Sequence, residues 1–382
     1  MKQFLSRARG LFFVLCMVFI PFAYRPVQQG ITELIFEAPV RFLRNLLYSN
    51  AYGPVEFSSD TRSMLLLMGI LVLIAAVLAI PLKKHHQKLL PVLKTASVYY
   101  LAFVLLKYGL DKVYLRQFYT PAPNILYTPF GNLDRDILYW STIGIAPAYQ
   151  IIMGITEVLA ALLLLINRTR FIGLLLTIIT LVQVVIINFT FDISVKMFSL
   201  LLLAMAVYAS WPQLRTLFAF LLTQKPTVLP KPETITIPVY VKAGLKCFAI
   251  GLMLLHGYTS RLYMRNPYAL TGAYEVMEYT KDGKVQDHSQ MQMKRIFIHP
   301  KNYIIMEMRD SIKDFYFIQD HKKQLLHLKG YMGETYNIHY RKQDNTMVFD
   351  FLDGRKVVTT PLPWQQLPAL QPQFHFTIDG TE

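Results

Sequence analysis

The sequence predicts a polytopic α-helical membrane bundle of about seven transmembrane helices, followed by a C-terminal antiparallel β-meander closed as a barrel or sandwich. Three observations carry that expectation. Hydrophobic residues make up 53% of the 382 residues and charged ones only 16%, against roughly 25% charged in soluble domains. The apolar residues are concentrated before residue 260. After it, apolar and polar residues alternate, which is the period of a strand with one buried face. The division is therefore a transmembrane domain over residues 1–262 and an extracytoplasmic β domain over residues 263–382.

Taken in order, the first apolar stretch is residues 11–24, behind Lys2, Arg7 and Arg9. It has the outline of a signal peptide, but no small-residue cleavage site follows it, so a retained anchor is expected. Residues 32–50 mix apolar side chains with Arg41 and Arg44 and suit a helix lying along the outer interface. Residues 64–82 form an uncharged run of the length that crosses the hydrocarbon core. Residues 97–118 are the next span, with Lys107, Asp111, Lys112 and Arg116 crowded into their second half. Residues 145–166, 171–190 and 194–211 follow as spans; a proline-rich linker (225–238) then leads to a last span at 241–260.

Basic residues set the orientation. With the N-terminus inside, the cytoplasmic segments hold thirteen: Lys2, Arg7, Arg9, Lys83, Lys84, Lys88, Lys94, Arg168, Arg170, Arg215, Lys225, Lys231 and Lys242. The outer short segments hold eight: Arg25, Arg41, Arg44, Arg62, Lys112, Arg116, Arg135 and Lys196. Positive charge is retained on the cytoplasmic side. The N-terminus is thus expected inside a cytoplasmic (inner) membrane, and seven crossings put the β domain outside. The same distribution explains the net charge of +15 without nucleic acid, and makes membrane lipids the expected partners.

In the β domain, Tyr336, Ile338 and Tyr340 alternate with Asn337 and His339, and Met347, Phe349 and Phe351 alternate with Val348 and Asp350. Turn signals at residues 281–283, 299–302, 343–345 and 353–354 mark off about eight strands at hairpin spacing.

Few residues offer chemistry. Cys16 and Cys247 lie in separate expected helices, and His288, His299, His321, His327, His339 and His375 have no metal-ligand spacing. No cofactor and no metal is expected, and no catalytic constellation is present. The sequons at Asn167 and Asn188 fall on an inner loop and a helix end. What stands out is charge inside the bilayer. Glu157 sits midway through an apolar span, where a carboxylate costs about 2.5–3.5 kcal/mol on insertion scales. Lys107 lies deep in its own span, with Asp111 one turn further on the same face. Asn188, Asp192 and Lys196 cluster at a later helix–helix turn. These six residues have two readings. Either they line a polar cavity, open to the outer side, for a head group, quinone or proton, or they pair within the bundle, with Lys107 as the expected partner of Glu157 and Lys196 as the other candidate.

The run Tyr108-Gly109-Leu110-Asp111-Lys112 resembles the "G..K" signature of DoxX-like membrane proteins. Residues 154–161 with Asn167-Arg168-Thr169-Arg170 look like that family's "E.L.G.LLL…RRT" segment, and residues 188–196 are similar to an "NF.YD.PVK" block. The resemblance covers residues 95–223; the first two spans and the β domain fall outside it, and Ala160-Ala161 stands where the family often has glycine. The resemblance implies an integral membrane protein; with no haem, flavin, iron–sulfur or dithiol motif in the sequence, the leading expectation is a non-catalytic one, with an outer β domain, loosely lipocalin-like but without the Gly-x-Trp of that family, for a small hydrophobic ligand, lipid or envelope protein. The alternatives are the membrane subunit of a quinone-linked oxidoreductase, since the family is associated with thiosulfate–quinone chemistry, and a lipid or small-solute carrier.

Overall fold

The computed structural model describes residues 1–22, 25–48, 53–231, 270–287, 292–300, 302–331 and 333–371, with scattered positions between 240 and 257. The helices are α1 (Lys2–Phe19), α2 (Arg25–Leu47), α3 (Arg62–Ala79), α4 (His86–Val113), α5 (Pro123–Leu126), α6 (Arg135–Gly144), α7 (Pro147–Leu165), α8 (Arg170–Thr190) and α9 (Lys196–Thr223). Two compact units form: Met1–Phe118 with Pro147–Thr259, and Tyr119–Ala146 with Ser260–Glu382. The expected single boundary near residue 263 did not include segment 119–146, which groups with the barrel.

Five of the described helical segments are long and apolar enough to cross a membrane: α3, Pro81–Val113, α7, α8 and α9. The chain is thus a membrane protein, with five such helices where about seven spans are expected. The first difference has a physical cause. Helix α1 begins at Lys2 and carries Arg7 and Arg9 inside its length, and Arg7 is buried with its Nε donating to the Ala79 carbonyl at 3.2 Å. The other candidate, residues 241–260, lies largely outside the described residues. Two spans are longer than expected, because Pro91 and Pro212 sit inside α4 and α9 without ending them; neighbouring helices can re-satisfy the backbone groups a proline frees. For α4 this moves the apolar crossing toward its N-terminal half and leaves Lys107, Asp111 and Lys112 at its C-terminal end. Helix α2 buries Thr32, Phe36, Val40 and Arg44, one residue per turn, and exposes Leu34, Phe42 and Leu46, as an interfacial helix should. Thr61 caps α3 by accepting from the Met64 N–H at 3.0 Å.

The core of this unit runs from Phe13 and Cys16 through Leu67, Leu71, Leu101 and Leu105 to Leu164, Leu202 and Met205. Its tightest point is the crossing of α4 and α7. A Cβ added to Gly154 would lie 2.6 Å from the Gly109 carbonyl oxygen, and one on Gly109 would lie 2.8 Å from the Gly154 carbonyl oxygen. Only two glycines let the backbones approach so closely.

The second unit holds nine strands: β1 (Gly272–Lys281), β2 (Lys284–Val285), β3 (Met293–His299), β4 (Tyr303–Met308), β5 (Ile312–Asp320), β6 (Leu325–Lys329), β7 (Thr335–Gln343), β8 (Thr346–Phe351) and β9 (Arg355–Pro361). All pairings are antiparallel; β1 pairs with both β3 and β9, so eight strands close into a barrel, and β2 is a short hairpin extension of β1. The turns use the residues the chain offers: Asp282 and Gly283 both take positive φ (51° and 76°), as do Asp344 (48°) and Gly354 (90°). Inward side chains, among them Tyr279, Ile296, Phe317, Leu326, Ile338 and Phe349, form one apolar core. On the outside, Ala273, Phe297 and Ile305 are covered by Tyr127, Leu362 and Trp364. Tyr127 comes from segment 119–146; it stacks on Phe297 at 6.2 Å, and the Arg295 guanidinium lies 5.0 Å from its ring.

Two outcomes follow. Gly154→Val must push α7 off α4, since the obstacle is backbone; overpacking of this kind costs about 1–3 kcal/mol, so the detergent-solubilised protein should melt several degrees lower by intrinsic fluorescence. His299, at the end of β3, has its pKa lowered from 6.5 by burial, and its Nε2 is buried without a hydrogen-bond partner among the described residues. A base with a depressed folded-state pKa costs nothing above its unfolded pKa. As pH falls through about 6.5 the unfolded chain gains the proton first, and stability drops. Melting in the full chain should therefore be lower at pH 5.5 than at 7.5, and His299→Gln should reduce that difference.

Candidate functional site

Helix α4 turns about 100° per residue, so Lys107 and Asp111 share a face while Lys112 points elsewhere. Lys107 Nζ lies 3.1 Å from Asp111 Oδ2, and Arg116 Nη1 is 3.2 Å from the other oxygen of the same carboxylate. Lys112, directed at α7, donates to Glu157 Oε1 at 2.9 Å and to Oε2 at 2.8 Å, with both side chains buried. The expected pairing of Glu157 with Lys107 is therefore replaced by Lys112. Five helical residues separate the two lysines, which turns them roughly 140° apart, and only Lys112 faces the glycine crossing. The Gly154 position is 2.8 Å from Lys112 Cβ in the sense that a methyl group there would meet it. The close approach and the ion pair are one arrangement.

The remaining expected residues are distributed differently. Asp192 has φ 53° in the turn after α8, and its carboxylate meets Lys196 Nζ at 2.6 Å. Lys196 itself opens α9, and that helix end is capped from a distant loop: Asp60 accepts from the Lys196 N–H at 2.7 Å and the Met197 N–H at 2.9 Å. Asp60 also lies 3.9 Å from Lys196 Nζ. Asn188 is buried in α8, and its Nδ2 has no hydrogen-bond partner among the described residues.

Between these groups lies a cavity of about 300 Å³. Its polar wall is Lys107, Tyr108, Arg25 and Asp60, and its apolar wall includes Met64, Met68 and Phe198. Phe22, which also lines it, stacks on Phe198 at 4.7 Å, and Lys107 Nζ stands 5.5 Å from the Phe22 ring and 5.3 Å from the Tyr108 ring. Tyr108 further links the cavity to the buried pair, with Lys112 Nζ 5.5 Å from its ring centre. Of the six expected residues, Lys107 lines the cavity, Asp111 holds Lys107, Lys196 adjoins it through Asp60, and Glu157 stands behind Tyr108. Three contributors were missed: Lys112, Asp60 and Phe22. The first was visible as the lysine of the Gly109–Lys112 pattern. The other two had no local signal, because their roles depend on long-range packing.

Bundle and site define a membrane protein with a charge-lined cavity beside a buried ion pair, carrying a closed β-barrel on the same chain. No family model matches it, and no solved structure does. Over 112 residues it is 35% identical to the uncharacterized protein YwoB of Bacillus subtilis (strain 168), an alignment that covers 29% of this chain and 71% of that protein. The chain belongs to the family of YwoB.

Removing one member of a buried pair leaves an uncompensated charge and costs about 3–5 kcal/mol. Glu157→Gln and Lys112→Met should each lower the melting temperature in detergent strongly, and the double variant should recover part of the loss. Lys107→Met combined with Glu157→Gln should be additive to within about 0.5 kcal/mol, which separates the two lysines directly.

Proposed function

We propose that this is a DoxX-like, non-catalytic membrane protein that holds the head of a small amphiphile or lipid in the cavity between α1, α3, α4 and α9. The observation that carries the reading is the pairing of opposite walls in one cavity. Lys107 and Arg25 offer cationic donors, and Met64, Met68 and Phe198 offer a flexible apolar surface for a chain. Few convergent polar groups on a mostly apolar lining is the general form of a small-molecule site. Methionine adapts to irregular ligand shapes. The aromatic rings beside Lys107 add to the hold of Asp111 on its ammonium, and Asp111 is shared with Arg116.

The N-terminus-inside arrangement, in which α1 also crosses with Lys2, Arg7 and Arg9 toward its inner end, puts this cavity on the outer side of a cytoplasmic membrane. Contacts within the barrel unit bear on its crossing order. Segment 119–146 packs on the barrel through Tyr127, so both share one side of the membrane. Helices α7, α8 and α9 then carry the chain to the opposite side, so this reading calls for one further crossing ahead of the barrel. In this reading the barrel contributes an outer surface for an envelope partner, since aromatic and aliphatic side chains occupy its inside.

Native mass spectrometry of the detergent-purified protein should find a retained amphiphile. Loss of a charge-assisted contact removes about 1.5–3 kcal/mol, so Lys107→Met should reduce its occupancy about tenfold or more while hardly altering the melting temperature. Wild-type protein that retains nothing, or a variant that retains as much, would overturn the reading. A retained quinone that cycles under a reductant would favour the oxidoreductase alternative instead.

A further inference from the structure

The polar wall of the cavity between α1, α3, α4 and α9 is built mainly from donors. Lys107 brings an ammonium with three N–H bonds and no acceptor. One of them goes to Asp111 Oδ2 at 3.1 Å, and the rings of Phe22 and Tyr108 lie beside it. Arg25 adds a guanidinium at an exposed position of the lining, again with donors only. Ser59 and Ser194 supply hydroxyls, which can donate as well as accept. Asp60 is the carboxylate among the described lining residues, and it is already engaged. Its Oδ2 accepts from the Lys196 N–H at 2.7 Å and its Oδ1 from the Met197 N–H at 2.9 Å. Those two N–H groups open α9, so the carboxylate sits where the helix dipole is positive. What remains for a guest is chiefly N–H and O–H donors.

The apolar wall is as particular. Met64 and Met68 come from one face of α3, four residues apart, and Met197 and Phe198 come from the first turn of α9. Three unbranched thioethers follow a flexible chain more readily than branched side chains do. The volume of about 300 Å³ is at the lower end for small-molecule sites, which suits a head group and the start of one chain.

We infer, resting on the amphiphile reading of this cavity, that its guest is a single-chain amphiphile with an anionic oxygen head. The head oxygens accept from Lys107 and Arg25, and the chain lies along Met64, Met68 and Met197. Charge-assisted hydrogen bonds are roughly twice as strong as neutral ones. A carboxylate or phosphate therefore uses these donors more fully than an alcohol or a quinone carbonyl does. A quaternary ammonium head would meet two like charges and offer no acceptor. Two sources share the anionic chemistry: the carboxylate of a fatty acid, and the phosphate of a single-chain lipid.

Native mass spectrometry of the full chain in a non-ionic detergent tests it, with dodecanoate, dodecyl phosphate, dodecanol and dodecyltrimethylammonium added in turn at one concentration. The four share a chain and differ only in the head. The anions should be retained about tenfold or more above the alcohol and the cation. Lys107→Met and Arg25→Gln should each reduce that retention about tenfold. Arg25 is exposed, so its substitution leaves the core intact even if Lys107→Met folds poorly. Lys225→Gln, the same loss of charge at an exposed position after α9, should have no such effect. Retention of dodecanoate alone assigns the head to a carboxylate, of dodecyl phosphate alone to a phosphate, and of both to an anionic head of either kind. Dodecanol held as well as the anions, or a preference for the cation, would overturn the inference and leave the amphiphile reading standing. Equal losses in Lys225→Gln and Arg25→Gln, or no loss in either cavity variant, would overturn it too. Retention of none of the four would remove both readings.

Discussion

The approach of α4 to α7 at Gly109 and Gly154 sets the rest of the bundle. In lipid there is no hydrophobic drive for one apolar helix to choose another, so close packing and polar contacts decide the pairing. The two glycines remove the side chains that would hold the helices apart. One turn further, Lys112 then reaches Glu157 with both carboxylate oxygens engaged. Neither feature works alone. An ion pair without the close approach would leave two charges in hydrocarbon, and the approach without the pair would leave the register of the helices loosely defined.

Charge is placed toward both ends of α4. Toward its C-terminal end the cations have carboxylate partners: Lys107 and Arg116 share Asp111, and Lys112 has Glu157. Toward its N-terminal end Lys94 and Arg170 face a cavity whose lining has no acid among the described residues. Balanced charge near a cavity lets an adjacent lysine act as a donor without drawing in bulk ions. One helix thus presents two different chemistries at its two ends, although hydropathy alone reads it as a single span.

Much of this was legible in the chain. The strand pattern of Tyr336, Ile338 and Tyr340, and the turn pairs at Asp282-Gly283 and Asp353-Gly354, give the barrel its elements, because both signals are local. Closure is not local: it depends on β1 pairing with β9, some eighty residues later. Glu157 is recognisable as costly at its depth, but depth favours Lys107 as its partner and helical phase selects Lys112. Lys107 and Lys112 differ by five residues, and only the position of Gly109 tells which of them faces the neighbouring helix. Asp60 was invisible for the same kind of reason. A loop aspartate shows no sign that it will cap a helix beginning at Lys196.

The closing pair of strands has a consequence for how the protein is made. Tyr127 is synthesised 168 residues ahead of Arg295, whose guanidinium lies against its ring and donates to its carbonyl. Contacts of such long range form late. Until β9 is complete, both β1 and β8 carry unpaired edges, the kind of surface that recruits strands from other chains. The exposed interval therefore ends only when β9 has been made, and a stop ahead of Arg355 would leave a ribbon whose β1 and β8 edges are both open.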